Sequence, residues 1–329
     1  MKKNKIILLL LLTVCLFAFS GCKKNVGSEE DNAVKGEQEA EQVSYKFGFS
    51  CIAKENPYFV TLKNSITESL TSKGHTLIGV DDDTNLDSKK QIEQIQNMID
   101  QGIDAIFLTP VDWQAITPAL EALKEAGVKI INVDAQVAEM DYVDAYIGSN
   151  NKNAGVICAE DLINKFPDGG KIAILEAPGM NSVNERITGF EETLAGHPFE
   201  VVARENTEGD LNMSRESMKR ILASNSDIIA VMCGNDPTAI GAYIAANEAG
   251  INTLSIYGID GSPEVKKELQ KKNTLIAGTA AQSPIDMGTA AVDVALKILE
   301  GKEYEKETYI DTYLITKDNI DMYGSDGWQ

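Results

Sequence analysis

The chain has 329 residues, 43% of them apolar. At about 150 residues per domain, that is enough for two lobes with buried cores. Thirty basic against fifty acidic side chains leave a formal charge of −20, which gains nothing from a phosphate backbone and argues against nucleic acid as a partner. The two histidines, His75 and His197, are too few for a multi-histidine metal centre, and neither a metal nor a cofactor is expected.

At the start, Lys2, Lys3 and Lys5 precede an apolar run over 6–19. The run is shorter than the about 20 residues of an ordinary spanning helix. Residues 1–21 therefore read as a secretory signal peptide. The break, Phe19-Ser20-Gly21-Cys22, resembles the bacterial lipobox, which implies lipidation of Cys22 and anchoring to the outer face of the cytoplasmic membrane. A plain signal peptide or an uncleaved anchor is the alternative reading. Removing residues 1–21 takes away three lysines and no acid, so the remainder is more acidic still and needs a lipid, not a basic patch, to hold it. Residues 22–43 have almost no large apolar groups and read as an acidic flexible tether.

From Tyr45 onward, apolar runs alternate with helical patterns. Strands are expected at Lys46–Ser50, Thr76–Val80, Ala105–Leu108, Val128–Val133, Lys171–Leu175, Ile228–Met232, Leu254–Ile259 and Leu275–Gly278. Several are apolar at consecutive positions, as strands covered on both faces are in parallel sheets. Between them Ile92, Ile95 and Ile99 recur at helical spacing, as do Ile116, Leu120 and Leu123. Asn56 before Pro57 reads as a helix cap, and Gly102, Gly127 and Gly250 stand where helices would stop. Asp81, Asp83, Asn85 and Asp87 alternate as in a calcium loop. Leu86 and Ile92 replace its glycine and closing glutamate, so a solvated acidic loop is expected. Trp113, beside Asp112, reads as a helix-start residue near a cleft rim. Cys51, Cys158 and Cys233 have neither zinc nor disulfide spacing, and Cys233 reads as a small core residue.

The strand–helix pattern runs twice, with a reset near Asn150, which predicts two doubly wound lobes. Ligands in such sheets sit beyond the carboxyl ends of the strands. The residues there are Ser50, Asn56, Thr109, Asp134, Asn235, Asp236, Asp260 and Gln282, a hydrogen-bonding set without a nucleophile–base pair.

Six segments fall in order: Asn56-Pro57-Tyr58-Phe59, Asn132-Val133-Asp134, Asn184-Glu185-Arg186 with Gly189-Phe190, Gly234-Asn235-Asp236, Gly258-Ile259-Asp260-Gly261 and Ala281-Gln282. Together they resemble the ribose/galactose-type periplasmic sugar-binding proteins of ABC importers, from Tyr45 to about Ile315. The resemblance implies an α/β type I periplasmic binding protein fold, two doubly wound parallel-sheet lobes joined by a three-crossing hinge. The first lobe would be 44–149 plus 283–310, and the second 150–282 plus 311–329. It makes Asn56, Asp134, Arg186, Asn235, Asp260 and Gln282 polar sugar contacts and Tyr58 and Phe59 the aromatic face. It also implies a monomer that hands its sugar to permease subunits. Ribose-type members usually carry Arg after the aspartate and an aromatic before the position of Asp210. This chain has Ala135 and Gly209, which bears on which sugar is taken.

The residue types suit the task. A sugar hydroxyl donates and accepts; ionised Asp134 and Asp260 only accept, Arg186 only donates, and Asn56, Asn235 and Gln282 do both. Other readings stand beside these. Asp260 could cap the helix near Pro263, and Arg186 could pair with Glu185 or Glu191 on a surface. Tyr58 and Phe59 could be core residues, and Asn235 only a cap. At the level of function, the alternatives to a transport-linked binder are a sensor of the same fold and a hydrolase using Asp134 and Asp260. Sugar-responsive repressors of this fold carry a DNA-binding headpiece where this chain has a signal and a tether.

Overall fold

The structure is a computed structural model and describes residues 43–79, 84 and 86–328. The signal peptide, the lipidation site Cys22, all of the tether but Val43, and Asp81, Asp83 and Asn85 lie outside the described residues.

The chain builds two six-stranded sheets. The first holds β1 (Lys46–Ser50), β2 (Thr76–Gly79), β3 (Ala105–Leu108), β4 (Lys129–Val133) and β5 (Ala145–Ser149), with β11 (Glu307–Ile310) at one edge. Its order is β11-β5-β4-β3-β1-β2, parallel throughout. The second holds β6 (Gly170–Glu176), β7 (Phe199–Asn206), β8 (Ala230–Cys233), β9 (Ser255–Asp260) and β10 (Ile276–Ala281), with β12 (Tyr313–Thr316). Its order is β12-β10-β9-β8-β6-β7, and only β12 runs antiparallel to its neighbour.

Helices cover both faces of each sheet. On the first lie α1 (Pro57–Ser72), α2 (Ser88–Asp100) and α3 (Thr117–Glu125), and α9 (Pro284–Leu299) returns to pack on α1, β4 and β5. On the second lie α4 (Asn151–Lys165), α5 (Asn181–Leu194), α6 (Leu211–Ser224), α7 (Asp236–Glu248) and α8 (Pro263–Leu269). The chain therefore passes between the sheets at three places: after β5, after β10 and between β11 and β12. Each sheet has an apolar core on both faces. That is why β3 and β8 are apolar and buried at every position.

The carboxyl ends of the strands are tied together by buried side chains. Gln91 of α2 donates to Ser50 Oγ (3.0 Å) and to Thr109 O (2.9 Å), and accepts from Val111 N (2.8 Å). Asn132 donates to Leu108 O (2.9 Å) and Ala135 O (2.8 Å). These bonds fix the loops from which the first lobe presents its site.

In the second lobe, α4 and α5 cross at very short range. A Cβ on Gly155 would lie 1.8 Å from Arg186 O, and one on Gly189 would lie 2.1 Å from Lys152 O. The two glycines let the backbones touch and so bring Asn151 of α4 beside Arg186 of α5.

Candidate ligand-binding cleft

A cavity of about 810 Å³ lies between the ends of the two sheets. All eight side chains expected at the site line it: Asn56, Tyr58, Phe59, Asp134, Arg186, Asn235, Asp260 and Gln282. Three others from the strand ends do not. Ser50 and Thr109 are buried in the scaffold, where they bond to Gln91 and Val133, and Asp236 stands behind Asp260.

Arg186 is 3% exposed, and its hydrogen bonds go to neither Glu185 nor Glu191. Its Nε donates to Asn151 Oδ1 at 2.8 Å and its Nη1 to Gly234 O at 2.9 Å. Nη1 also stands 3.9 Å from Asp260 Oδ1. Asp260 accepts from Gln282 Nε2 at 2.8 Å and from Asp236 N at 3.3 Å. Asp236 accepts in turn from Ser262 N and from Thr279 Oγ1, each at 2.7 Å. The cap of α8 is Ser262, whose Oγ accepts from Val265 N, so Asp260 is released from that duty.

The two asparagines each do double work. Asn56 Oδ1 accepts from Tyr58 N and caps α1. Asn235 Oδ1 accepts from Thr238 N and caps α7, while its Nδ2 donates to Gly209 O at 3.1 Å. Tyr58 and Phe59 meet edge to face at 5.3 Å and are at once core members and cavity wall.

Burial raises the carboxyl of Asp134 above its ordinary range, against the pull of Arg186. Burial, helped by the adjacent Asp236, pushes Asp260 up to about 8. Burial also raises Asp236. Two acceptors on the cavity wall, Asp134 Oδ1 and Gln282 Oε1, are buried without a hydrogen-bond partner. Each such atom costs about 1–3 kcal/mol until something donates to it.

Backbone strain marks the same place. Four non-glycine residues among those described have positive φ: Leu86 (59°), Asp134 (68°), Glu208 (51°) and Asp260 (143°). All four line the cavity. Strain of about 1–3 kcal/mol per residue persists where the surroundings over-determine it, as they do at binding sites.

The cavity also takes in residues with no sequence signal, among them Met180, Ser182, Lys267 and Trp328. Trp113 lies ahead of α3, outside the cavity, and its backbone N–H donates to Gly179 O of the second lobe at 3.1 Å. Among the described residues no group of three or more His, Cys, Asp or Glu side chains is placed to hold a metal ion.

The two-sheet architecture with a cavity at the strand ends agrees with comparison to known proteins. The family model described as periplasmic binding protein domain matches residues 47–303. The chain belongs to the periplasmic binding protein family. Within this family of solute-binding proteins, it is 31% identical over 297 residues to the ribose import binding protein of Bacillus subtilis, covering 90% of this chain and 94% of that one. A solute-binding protein of an ABC transporter from Mycobacterium smegmatis, solved with bound glycerol, superposes with a TM-score of 0.81 at 26% identity, covering 87% of this chain and 99% of that one. A periplasmic solute-binding protein from Actinobacillus succinogenes, solved with bound D-allose, gives a TM-score of 0.77 at 26% identity, covering 85% of this chain and 100% of that one.

Proposed function

We propose that this periplasmic binding protein captures a monosaccharide or related polyol in the interlobe cleft and delivers it to the permease of an ABC importer. It acts by binding and not by chemistry, as an extracytoplasmic monomer held at the membrane by lipid on Cys22. Its lobes divide as 44–149 plus 283–310 and 150–282 plus 311–329. Asn56, Asp134, Arg186, Asn235, Asp260 and Gln282 take the hydroxyls, and Tyr58 and Phe59 cover the apolar C–H face.

The observation that carries this reading is the pair of unpartnered buried acceptors, Asp134 Oδ1 and Gln282 Oε1, on the wall of one cavity. Hydroxyl donors are what such atoms lack, and Arg186 and Asn235 supply donors to the oxygen of the same groups. The relatives named for ribose import, and those solved with D-allose and glycerol, support the class of ligand. Among the described residues no helix is long and apolar enough to cross a membrane.

A melting scan of the purified protein against a panel of monosaccharides and polyols tests the reading. A ligand at about 100 times its Kd adds roughly 2.7 kcal/mol of stability. A panel without a single stabilising member would overturn it. Transport is tested separately by deleting the permease: uptake that continues unchanged would point to sensing instead.

A further inference from the structure

Beyond β12 the chain passes a short 3-10 turn at Ile320–Met322, and its last described residues reach the cleft. Gly327 O accepts from Lys266 Nζ at 2.5 Å, which fixes the tail to α8 of the second lobe. One residue later, Trp328 packs edge-on against Tyr58 of the first lobe, with ring centroids 5.7 Å apart and planes at 76°. Its indole packs against the first lobe's core and lines the cavity beside Tyr58 and Phe59.

Lys266 is fully buried, an expensive position for an ammonium group unless it is held by partners. Its bond to a carbonyl of the chain's final residues makes that tail an anchored element. Gly209, also on the cavity wall, adds no side chain there.

We propose that Trp328 is a ligand-contacting, specificity-determining residue. The tail carries its indole to the cleft, where it covers the apolar face of a bound polyol beside Tyr58 and Phe59. This rests on the polyol-binding reading of the same cavity. Because Gly327 is held by one lobe and Trp328 rests on the other, the tail makes both contacts only while the lobes are together. The indole therefore contributes to ligand retention as well as to shape.

The chain has only two tryptophans, so Trp113→Phe leaves Trp328 as the sole indole. Trp113 lies outside the cavity and keeps its backbone bond to Gly179 in this variant. D-ribose, D-allose and myo-inositol serve as probes, first by melting scan on the wild type and then by fluorescence on Trp113→Phe. For a probe that stabilises the wild type, the emission of Trp328 should change in a saturable way, with its midpoint at the calorimetric Kd. Trp328→Ala should weaken that probe by about tenfold with little change in the unliganded Tm, and Trp328→Phe should recover most of the loss. Emission that ignores a bound probe, or Trp328→Ala binding as the wild type does, overturns the proposal and leaves the polyol reading intact. If none of the three stabilises the wild type, the assignment of Trp328 fails together with the choice of ligand class on which it rests.

Discussion

At Asp260 a carboxyl is held in left-handed backbone, buried, and beside a second carboxyl, so that its proton is retained up to about 8. A folded value above the ordinary 3.8 means that the folded state binds the proton more tightly. Through this group the closed, unliganded form is most stable below that value, and it loses stability as pH rises from there to about 8. Hydroxyls that donate to Asp260 and Asp134 favour the ionised forms, so binding in this window should expel protons. Affinity is therefore expected to weaken by about tenfold from pH 8 to about pH 6, roughly one pKa unit of differential interaction. Calorimetry in two buffers of different ionisation enthalpy reads the released protons, and a pH-independent Kd would mean that the carboxylates do not meet the ligand ionised. Arg186→Ala should cost about 2–5 kcal/mol of binding, because it strands Asn151 Oδ1 and Gly234 O and leaves Asp260 without its nearest cation. A loss below about tenfold would place Arg186 outside the ligand's reach. Polar residues just after strands were legible because that is where doubly wound sheets expose side chains. Whether each turns to the cavity or to the scaffold was not: Ser50 Oγ accepts from Gln91 and Thr109 Oγ1 donates to Val133 O, long-range partners that no local pattern announces. Trp328, at the end of the chain with no periodic context, carried no signal at all.

Among the elements, the α4–α5 contact decides where Arg186 stands. Gly189→Ala would drive a methyl group into Lys152 O and push the two helices apart. The expected cost is about 1–3 kcal/mol of stability, the usual range for overpacking, seen as a lower Tm. The same shift moves Arg186, less than one turn away on α5, so ligand affinity should fall in parallel. A variant that melts and binds as the wild type does would show that the helices can separate freely. The buried strands β3, β6 and β8 were readable because both their faces are covered and their apolar residues run on without a break. By contrast β7, β11 and β12 escaped notice: each is an edge strand with one neighbour, and exposed or half-exposed positions interrupt its apolar run. The inner strand β5 was missed for another reason, its short Ala145–Ser149 run being cut by Gly148 and ending in serine.

Across the whole molecule, the lobes meet on more than the hinge segments. Trp113 N donates to Gly179 O at 3.1 Å, Asn181 Nδ2 donates to Gln136 Oε1 at 3.4 Å, and Met180 packs against the cores of both lobes. This is a closed arrangement, and without a ligand it leaves Asp134 Oδ1 and Gln282 Oε1 buried and unpaired. Two orphaned acceptors cost about 2–6 kcal/mol together, whereas an open cleft would let water serve them. That cost weighs against the bonds across the interface and shifts the free protein toward the open form. A polyol reverses the balance, since only the closed form offers it both walls, and it can shift the equilibrium only by that difference in affinity. Small-angle scattering should accordingly show the radius of gyration of the free protein falling as ligand is added. The midpoint should coincide with the calorimetric Kd, because closure and occupancy are then one event. A radius that stays constant while calorimetry reports saturation would mean that the lobes are already locked together, and that a partner recognising the closed shape could not distinguish a loaded protein from an empty one.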